Sequence, residues 1–246
     1  MLRIQRVLQG ASIRSSLGTM GACSVTMIEE NEKRIVFDVG HFGNRDKLKD
    51  SLSNIGLKPN EIDIVVLSHL HWDHCLNVEL FKDSQILLGE KELELGTLSG
   101  IEDELTKHFK QMLFNMDVKG VDDGYKITPS ITVLSLGGHT AGSIGLLIQT
   151  ENGRTVLAGD AIPNLRAYKR GKPDLVFYSL KEAIDSIQKV RNLRPQTIIP
   201  GHDNPFNDGG YIVRDKIDII LKTEREENIV FYVESTKAEE PIIYNH

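Results

Sequence analysis

The chain has 246 residues, is 40% hydrophobic and 26% charged, and carries a formal net charge of −6. That composition reads as a soluble globular protein with chain enough for one sizeable core, and the acidic balance gives no general attraction to nucleic acid or anionic lipid. Two cysteines, Cys23 and Cys75, exclude a disulfide scaffold and suit a reducing cytoplasm, and no run approaches the roughly 18 apolar residues that a membrane helix needs.

In chain order, strands are predicted at 2–8, 22–29 and 33–38. The opening MLRIQRVLQGASIRSSLG has the arginine- and serine-rich, acid-free composition of a mitochondrial presequence, but LRIQRVLQ alternates like a strand and is read as the first member of a sheet. Leu48, Leu52 and Ile55 then fall at helical spacing. IDIVVLS (62–68) is a nearly continuous apolar run, the mark of a strand covered on both faces. QILLG (85–89) is another strand, and 90–116 reads as mainly helical, with Leu93, Leu98, Leu105 and Phe109 facing inward. Strands follow at 131–138, 143–150 and 155–160, then a helix over 179–195 with Ser179 as its N-cap, and a strand over 197–202. A last strand is predicted at 228–235. No repeat or linker interrupts the series, so residues 1–246 are read as a single domain. Strands in groups with helices to cover them suggest an α/β (α+β) fold, a four-layer αββα sandwich.

The stretch SHLHWDHCLN (68–77) holds three histidines and one aspartate within six positions. In an extended segment His69 and His71 point the same way and can reach one ion, while Asp73 and His74, where the chain turns, can face a neighbouring position. Imidazole with carboxylate suits zinc, iron or manganese. Leu70 and Trp72 are read as packed spacers. Three later residues repeat one pattern, a ligand-type side chain at the end of an apolar strand: His139 in LSLGGHTAGS, Asp160 in VLAGDAI and His202 in IIPGHDNPF. Glycine precedes each of them (Gly138, Gly159, Gly201), as tight backbone beside a site requires.

The series HxHxDH…H…D…H resembles that of the metallo-β-lactamase-fold superfamily, from about Val25 to Pro205 and including Asp38 of FDVG. The resemblance implies an αββα sandwich with two metals at one edge of the paired sheets. It assigns His69, His71 and His139 to one metal, Asp73, His74 and His202 to the other, and Asp160 to a bridging position. It also implies a hydrolase in which two divalent ions, zinc first and iron or manganese as alternatives, activate a water. Asp73 and Asp160 are then the catalytic carboxylates, and Asp38 orients a ligand imidazole. Cys75 is read as a small buried hydrophobe, His108 as an ordinary helix histidine, and His41 as a rim residue that either meets substrate or simply closes a loop.

Departures narrow the branch. True zinc β-lactamases lack the bridging carboxylate that Asp160 supplies. Flavodiiron proteins carry Glu where His71 stands, and the interval from Asp160 to His202 is too short for the domain that β-CASP nucleases insert. The homoserine-lactone hydrolases place a tyrosine a few residues after the bridging aspartate; here the nearest is Tyr168, eight residues on. A short-chain branch proposed to act on nucleic acid shares the IIPGHDNPF layout. The reading is a dinuclear hydrolase of a small ester, lactone or thioester, with a phosphodiesterase or nuclease on the same site, or a mononuclear iron oxygenase, as alternatives. Arg166, Lys169, Arg170 and Lys172 in the segment 164–174 are either a solvated loop or a cationic rim for an anionic small molecule. Ile13, Leu17 and Met20 offer an apolar flap, Thr140 and Ser143 could hydrogen-bond near the metals, and the final strand or tail offers an edge for a homodimer.

Overall fold

Short runs of β-branched and apolar residues build two sheets whose inner faces meet. The computed structural model describes residues 2–15, 18–19, 21–95, 104–215 and the short pieces 221–222, 228–229 and 242–243. One sheet holds six strands in chain order: β1 (Leu2–Leu8), β2 (Val25–Glu30), β3 (Lys33–Phe37), β4 (Ile64–Val66), β5 (Gln85–Gly89) and β6 (Val118–Val121). β1, β2 and β3 pair antiparallel, and from β3 onward the pairs are parallel. The other sheet lists its strands from one edge as β7 (Ile131–Ser135), β8 (Ile144–Thr150), β9 (Gly153–Gly159), β10 (Thr197–Pro200), β11 (Phe206–Asn207) and β12 (Gly210–Tyr211). Only the β9–β10 pair in it is parallel. Six α-helices lie among the described residues: α1 (Arg45–Asn54), α2 (Trp72–Cys75), α3 (Glu90–Leu95), α4 (Glu104–Phe114), α5 (Leu165–Arg170) and α6 (Leu180–Asn192).

The two-residue period of a strand assigns each side chain to a layer. Ile35 and Phe37 of β3 and Ile64 and Val66 of β4 face the second sheet, where they join Ile131, Val133, Leu146 and Ile148. Val36, Val65, Ile86 and Leu88 point the other way, into a cluster with Leu48 and Leu52 of α1 and Leu113 of α4. On the far face of the second sheet, Val156, Ala158 and Ile198 pack against Leu165 and Tyr168 of α5 and Ile187 and Val190 of α6. The layers are therefore helix, sheet, sheet, helix, as the sequence pattern suggested. Central strands covered on both faces must be apolar throughout, which is why IVV and VLAG show no alternation of polarity.

Several boundaries differ from the sequence reading. The stretch 90–116 divides into α3 and α4; Leu93 and Phe109 are partly buried against the first-sheet cluster, while Leu98 and the Leu105 side chain fall outside the described residues. β6 was not anticipated, because DVKGVDDG is too polar to stand out as an edge strand. Within 164–174, expected as loop, Leu165–Arg170 is helical: the Asn164 side chain accepts the Ala167 N–H at 2.8 Å, a cap that starts the turn. Of the strand predicted at 228–235, only Asn228–Ile229 is described. Leu17, Met20 and the final tail lie outside the described residues but for Ile242–Ile243. No helix among the described residues is long and apolar enough to cross a membrane.

Candidate metal centre

The ligand-type side chains sit where strands end. The chain leaves β4 into Ser68 and His69, turns at His71, the N-cap of α2, and carries Asp73 and His74 on that short helix. His139 occupies the turn between β7 and β8. β9 and β10 are parallel neighbours, so Asp160 and His202 leave the same end of the sheet side by side. The junction leaves no room for a side chain at Gly201, where a Cβ would stand 2.1 Å from Asp160 Oδ1. The glycine before His202 is thus set by the approach of the carboxylate.

All seven side chains converge, in two groups. His71 Nδ1 lies 2.9 Å from both His69 Nε2 and His139 Nε2. His202 Nε2 lies 3.3 Å from His74 Nε2 and 3.3 Å from Asp73 Oδ2. Asp160 stands between the groups: Oδ2 is 3.3 Å from His139 Nε2, and Oδ1 is 3.1 Å from His202 Nε2 and 3.4 Å from His74 Nε2. Tetrahedral coordination at about 2.0–2.1 Å puts ligand nitrogens about 3.3 Å apart, close to these separations.

The far side of each ring shows which nitrogen is bare. His139 Nδ1 faces the Leu175 carbonyl at 3.1 Å and His202 Nδ1 the Ala22 carbonyl at 3.0 Å, so both must donate there. His74 Nδ1 donates to Asp38 Oδ2 at 2.8 Å. Ser68 Oγ donates to the same oxygen at 2.9 Å and so accepts from His69 Nδ1, also at 2.9 Å. Four outer partners thus fix four tautomers and turn four Nε2 lone pairs inward, the usual arrangement behind a metal. A single proton on His71 Nδ1 would serve only one of its two nitrogen contacts, whereas a cation at the centre serves all three rings. With those tautomers, buried Asp160 Oδ1 faces only the bare Nε2 atoms of His202 and His74 and receives no hydrogen bond. These observations fit divalent metal ions.

Charge is arranged to match. Burial holds His69 and His71 well below the ordinary histidine range, with neighbouring imidazoles adding to the effect, and burial likewise lowers His139. Burial opposes ionisation of Asp160, but His202, His74 and His139 outweigh it and hold the carboxyl well below its usual range. His74 and His202 are disfavoured by burial but raised on balance, His74 by Cys23, Asp38 and Asp160 and His202 chiefly by Asp160.

Asp38 takes the orienting position expected of it. It is buried, with φ of +57°, and accepts the Ser68 N–H at 2.7 Å as well as the Ser68 and His74 side chains. Glu92 was missed. It is fully buried on α3; Oε1 accepts the Leu70 N–H at 3.1 Å, and Oε2 accepts Thr140 Oγ1–H at 2.8 Å and the Gly142 N–H at 3.1 Å. This one carboxylate ties the loop bearing His69 and His71 to the loop bearing His139. Thr140 and Ser143 bond to each other at 2.6 Å within this network. The available signal was position, since Glu92 follows the end of β5 as the ligands follow their strands. Cys75 is buried with its thiol directed at the Leu70 carbonyl.

A cleft of about 440 Å³ opens over the site, lined by His71, Asp73, His139, Asp160 and His202, with His69 and His74 buried behind them. Trp72, Leu76, Leu175 and Phe177 supply its apolar walls, so Trp72 is a cleft residue rather than a packed spacer. The Phe177 ring meets His71 edge-on at 4.6 Å between centroids and His139 at 5.3 Å. No lysine or arginine lines the cleft among the described residues. Arg166 and Arg170 instead each bond Asp174, at 2.7 and 2.8 Å, and it is the Asp174 side of the cluster that lines the cleft. Tyr168 is likewise turned away: its hydroxyl donates to Asp208 at 2.6 Å, its ring packs on Phe206, and burial with the Asp208 carboxylate pushes its pKa well up. His41 lines the cleft, whereas His108 is exposed on α4.

The sequence profile of the metallo-beta-lactamase superfamily matches residues 18–202. The chain belongs to that superfamily. It is 30% identical over 166 residues to a probable metallo-hydrolase of Methanocaldococcus jannaschii, a span covering 68% of this chain and 66% of that one. It is 28% identical over 163 residues to an N-acyl homoserine lactonase of a Bacillus species, covering 64% and 62%. The matched spans are thus a little under two thirds of those relatives' lengths. The fold also superposes, with a TM-score of 0.63 and 20% identity, on an N-acyl homoserine lactone hydrolase solved with the product N-hexanoyl-L-homoserine at its catalytic metal centre, covering 82% of this chain and 92% of that one.

Proposed function

We propose that the protein is a metal-dependent hydrolase of a small ester, lactone or thioester. His69, His71 and His139 would hold one divalent ion, Asp73, His74 and His202 a second, and Asp160 would contribute to both. The observation that carries this reading is the Asp160 carboxylate, whose two oxygens face the two separate nitrogen groups. When bound, such ions would supply a water of lowered pKa and a Lewis acid for the scissile carbonyl. The N/O donor set suits zinc first, with iron or manganese compatible.

The chain's own groups do the rest. Asp38, Ser68 and the carbonyls of Ala22 and Leu175 keep the imidazoles in the tautomer that presents Nε2. Asp160 stays ionised, because His202, His74 and His139 hold its carboxyl well below the usual range. Asp73, intermediate in exposure and open to the cleft, is placed to hold a proton for the leaving oxygen. Phe177 and Trp72 cover apolar parts of the substrate and keep bulk water from the reacting carbonyl. Beyond the ligand set the cleft wall carries apolar side chains and Asp174 and, among the described residues, no lysine or arginine to grip a phosphate backbone, which supports a small carbonyl substrate over a phosphodiester. The lactonase relative fits this chemistry.

Metal content by plasma emission, followed by a panel of lactones, thioesters and bis-p-nitrophenyl phosphate, tests the proposal. About two transition-metal ions per chain and turnover of lactones or thioesters are expected. Preferential turnover of the phosphodiester, or oxygen uptake with a persulfide and one iron per chain, would replace it with one of the alternatives.

A further inference from the structure

His41 is anchored at every polar atom but one. It precedes a single turn of 3₁₀ helix, Phe42–Asn44. Its backbone N–H donates to Asn44 Oδ1 at 3.1 Å, and its carbonyl accepts from Asn77 Nδ2 at 2.8 Å. Asn77 is itself fully buried and also donates to the Val39 carbonyl, so the loop is pinned from beneath. The ring Nδ1 accepts the Gly43 N–H at 3.0 Å. A backbone amide can only donate, so Nδ1 is the bare nitrogen and the neutral ring carries its proton on Nε2. That Nε2–H has no partner among the described residues, and the ring lines the cleft over the metal-binding side chains. The neighbouring glycine is part of the arrangement: a Cβ at Gly43 would stand 2.7 Å from His41 Cε1, so the ring occupies the space that any larger residue would fill.

We propose that His41 is a substrate-orienting donor whose Nε2–H holds an oxygen of the substrate in the cleft. The proposal rests on the hydrolase reading for its substrate class. An immobilised ring of fixed tautomer loses little freedom on making that bond, which is what a pre-organised recognition group requires. The competing explanation is that His41 merely caps the turn.

Two variants separate the explanations. His41→Asn restores the cap, since its side-chain oxygen can accept the Gly43 N–H, but it is too short to donate into the cleft. Gly43→Ala keeps the imidazole and displaces it. We expect both to retain metal content, and His41→Asn to retain thermal stability, while kcat/KM falls roughly 3–10-fold, the equivalent of one lost hydrogen bond, with the loss in KM. His41→Asn with kcat/KM within about twofold of the parent on every substrate turned over would overturn the proposal. A second arm needs no turnover. In zinc-loaded protein carrying ¹⁵N-histidine, His41 Nε2 is expected to be the protonated nitrogen, and its proton signal to move when γ-nonalactone is added. A proton on Nδ1, or no movement at saturating lactone, overturns the assignment. A shift without turnover on any panel substrate leaves His41 a binding donor and defeats the hydrolase reading instead.

Discussion

The floor of the cleft and its walls are held in different ways. On the floor, four of the five histidines are bonded on their outer nitrogen to a carbonyl, a carboxylate or a hydroxyl, and the side chains sit on strand ends backed by both sheets. The walls come from the turn at 41–44, from Trp72 and Leu76 beside the ligand-bearing turn, and from 163–177, where Phe177 donates its N–H to the His139 carbonyl and Asp174 holds two arginines at part-exposed positions. The contrast shows where this fold spends its rigidity. Geometry that must hold within a few tenths of an ångström is built on the sheets, and the surfaces that choose a substrate are left where sequence can change cheaply.

The largest expected effect comes from breaking the floor at the residue shared by both nitrogen groups. Asp160→Ala should lose one of two metal ions and at least about 100-fold in rate, the upper end of what even an outer-shell partner costs. Metal analysis with steady-state kinetics checks it, and an unchanged stoichiometry would remove Asp160 from the bridging position. Next is Glu92→Ala. It removes the carboxylate bonds to the buried Leu70 and Gly142 N–H groups, at about 1–3 kcal/mol each, so a loss on the order of 3 kcal/mol is expected in urea unfolding. Metal affinity should weaken about 10–100-fold, because the loops that Glu92 joins carry His69, His71 and His139.

Proton release sharpens the same comparison. His74 and His202 are raised, hence more protonated before metal binds, whereas His69, His71 and His139 are lowered and already neutral. Zinc uptake near neutral pH should therefore acidify a weakly buffered solution, and the release should diminish as pH rises through the raised values. Calorimetry in buffers of different ionisation enthalpy measures it. The wall gives the smallest effect. Asp174→Asn removes the carboxylate that holds Arg166 and Arg170 and should raise the kcat/KM ratio of an anionic ester to its neutral isostere by about 2–5-fold, the scale of a partly exposed charge pair. No change in the ratio would show that this cluster does not set selectivity.

Much of the floor was legible in the chain. His69, His71, Asp73 and His74 are neighbours in sequence, and His139, Asp160 and His202 each follow an apolar run and a glycine, so residue type and spacing carried the signal. Asp38 was readable through the same series. Glu92 was hidden in GEKELELG, where one buried carboxylate looks like its two neighbouring acids, because only the approach of the 139–143 loop distinguishes it. Phe177 and Trp72 carry no local mark of a wall. The basic residues of 164–174 were conspicuous in sequence, but their direction was not, since an Asn164 cap turns the segment helical and Asp174 collects two of the cations.

The sequence by itself determined the layer pattern, through the two-residue and helical periods of its apolar residues, and the donor chemistry of the site, through side chains whose identity does not depend on context. Only the tertiary structure decided which nitrogen each ring presents, how Asp160 divides its oxygens between two groups, and which charges face the cleft. Those properties depend on partners tens to more than a hundred residues away, such as Ala22 for His202 and Asp38 for His74, and no local pattern records a contact made by the packing of two sheets.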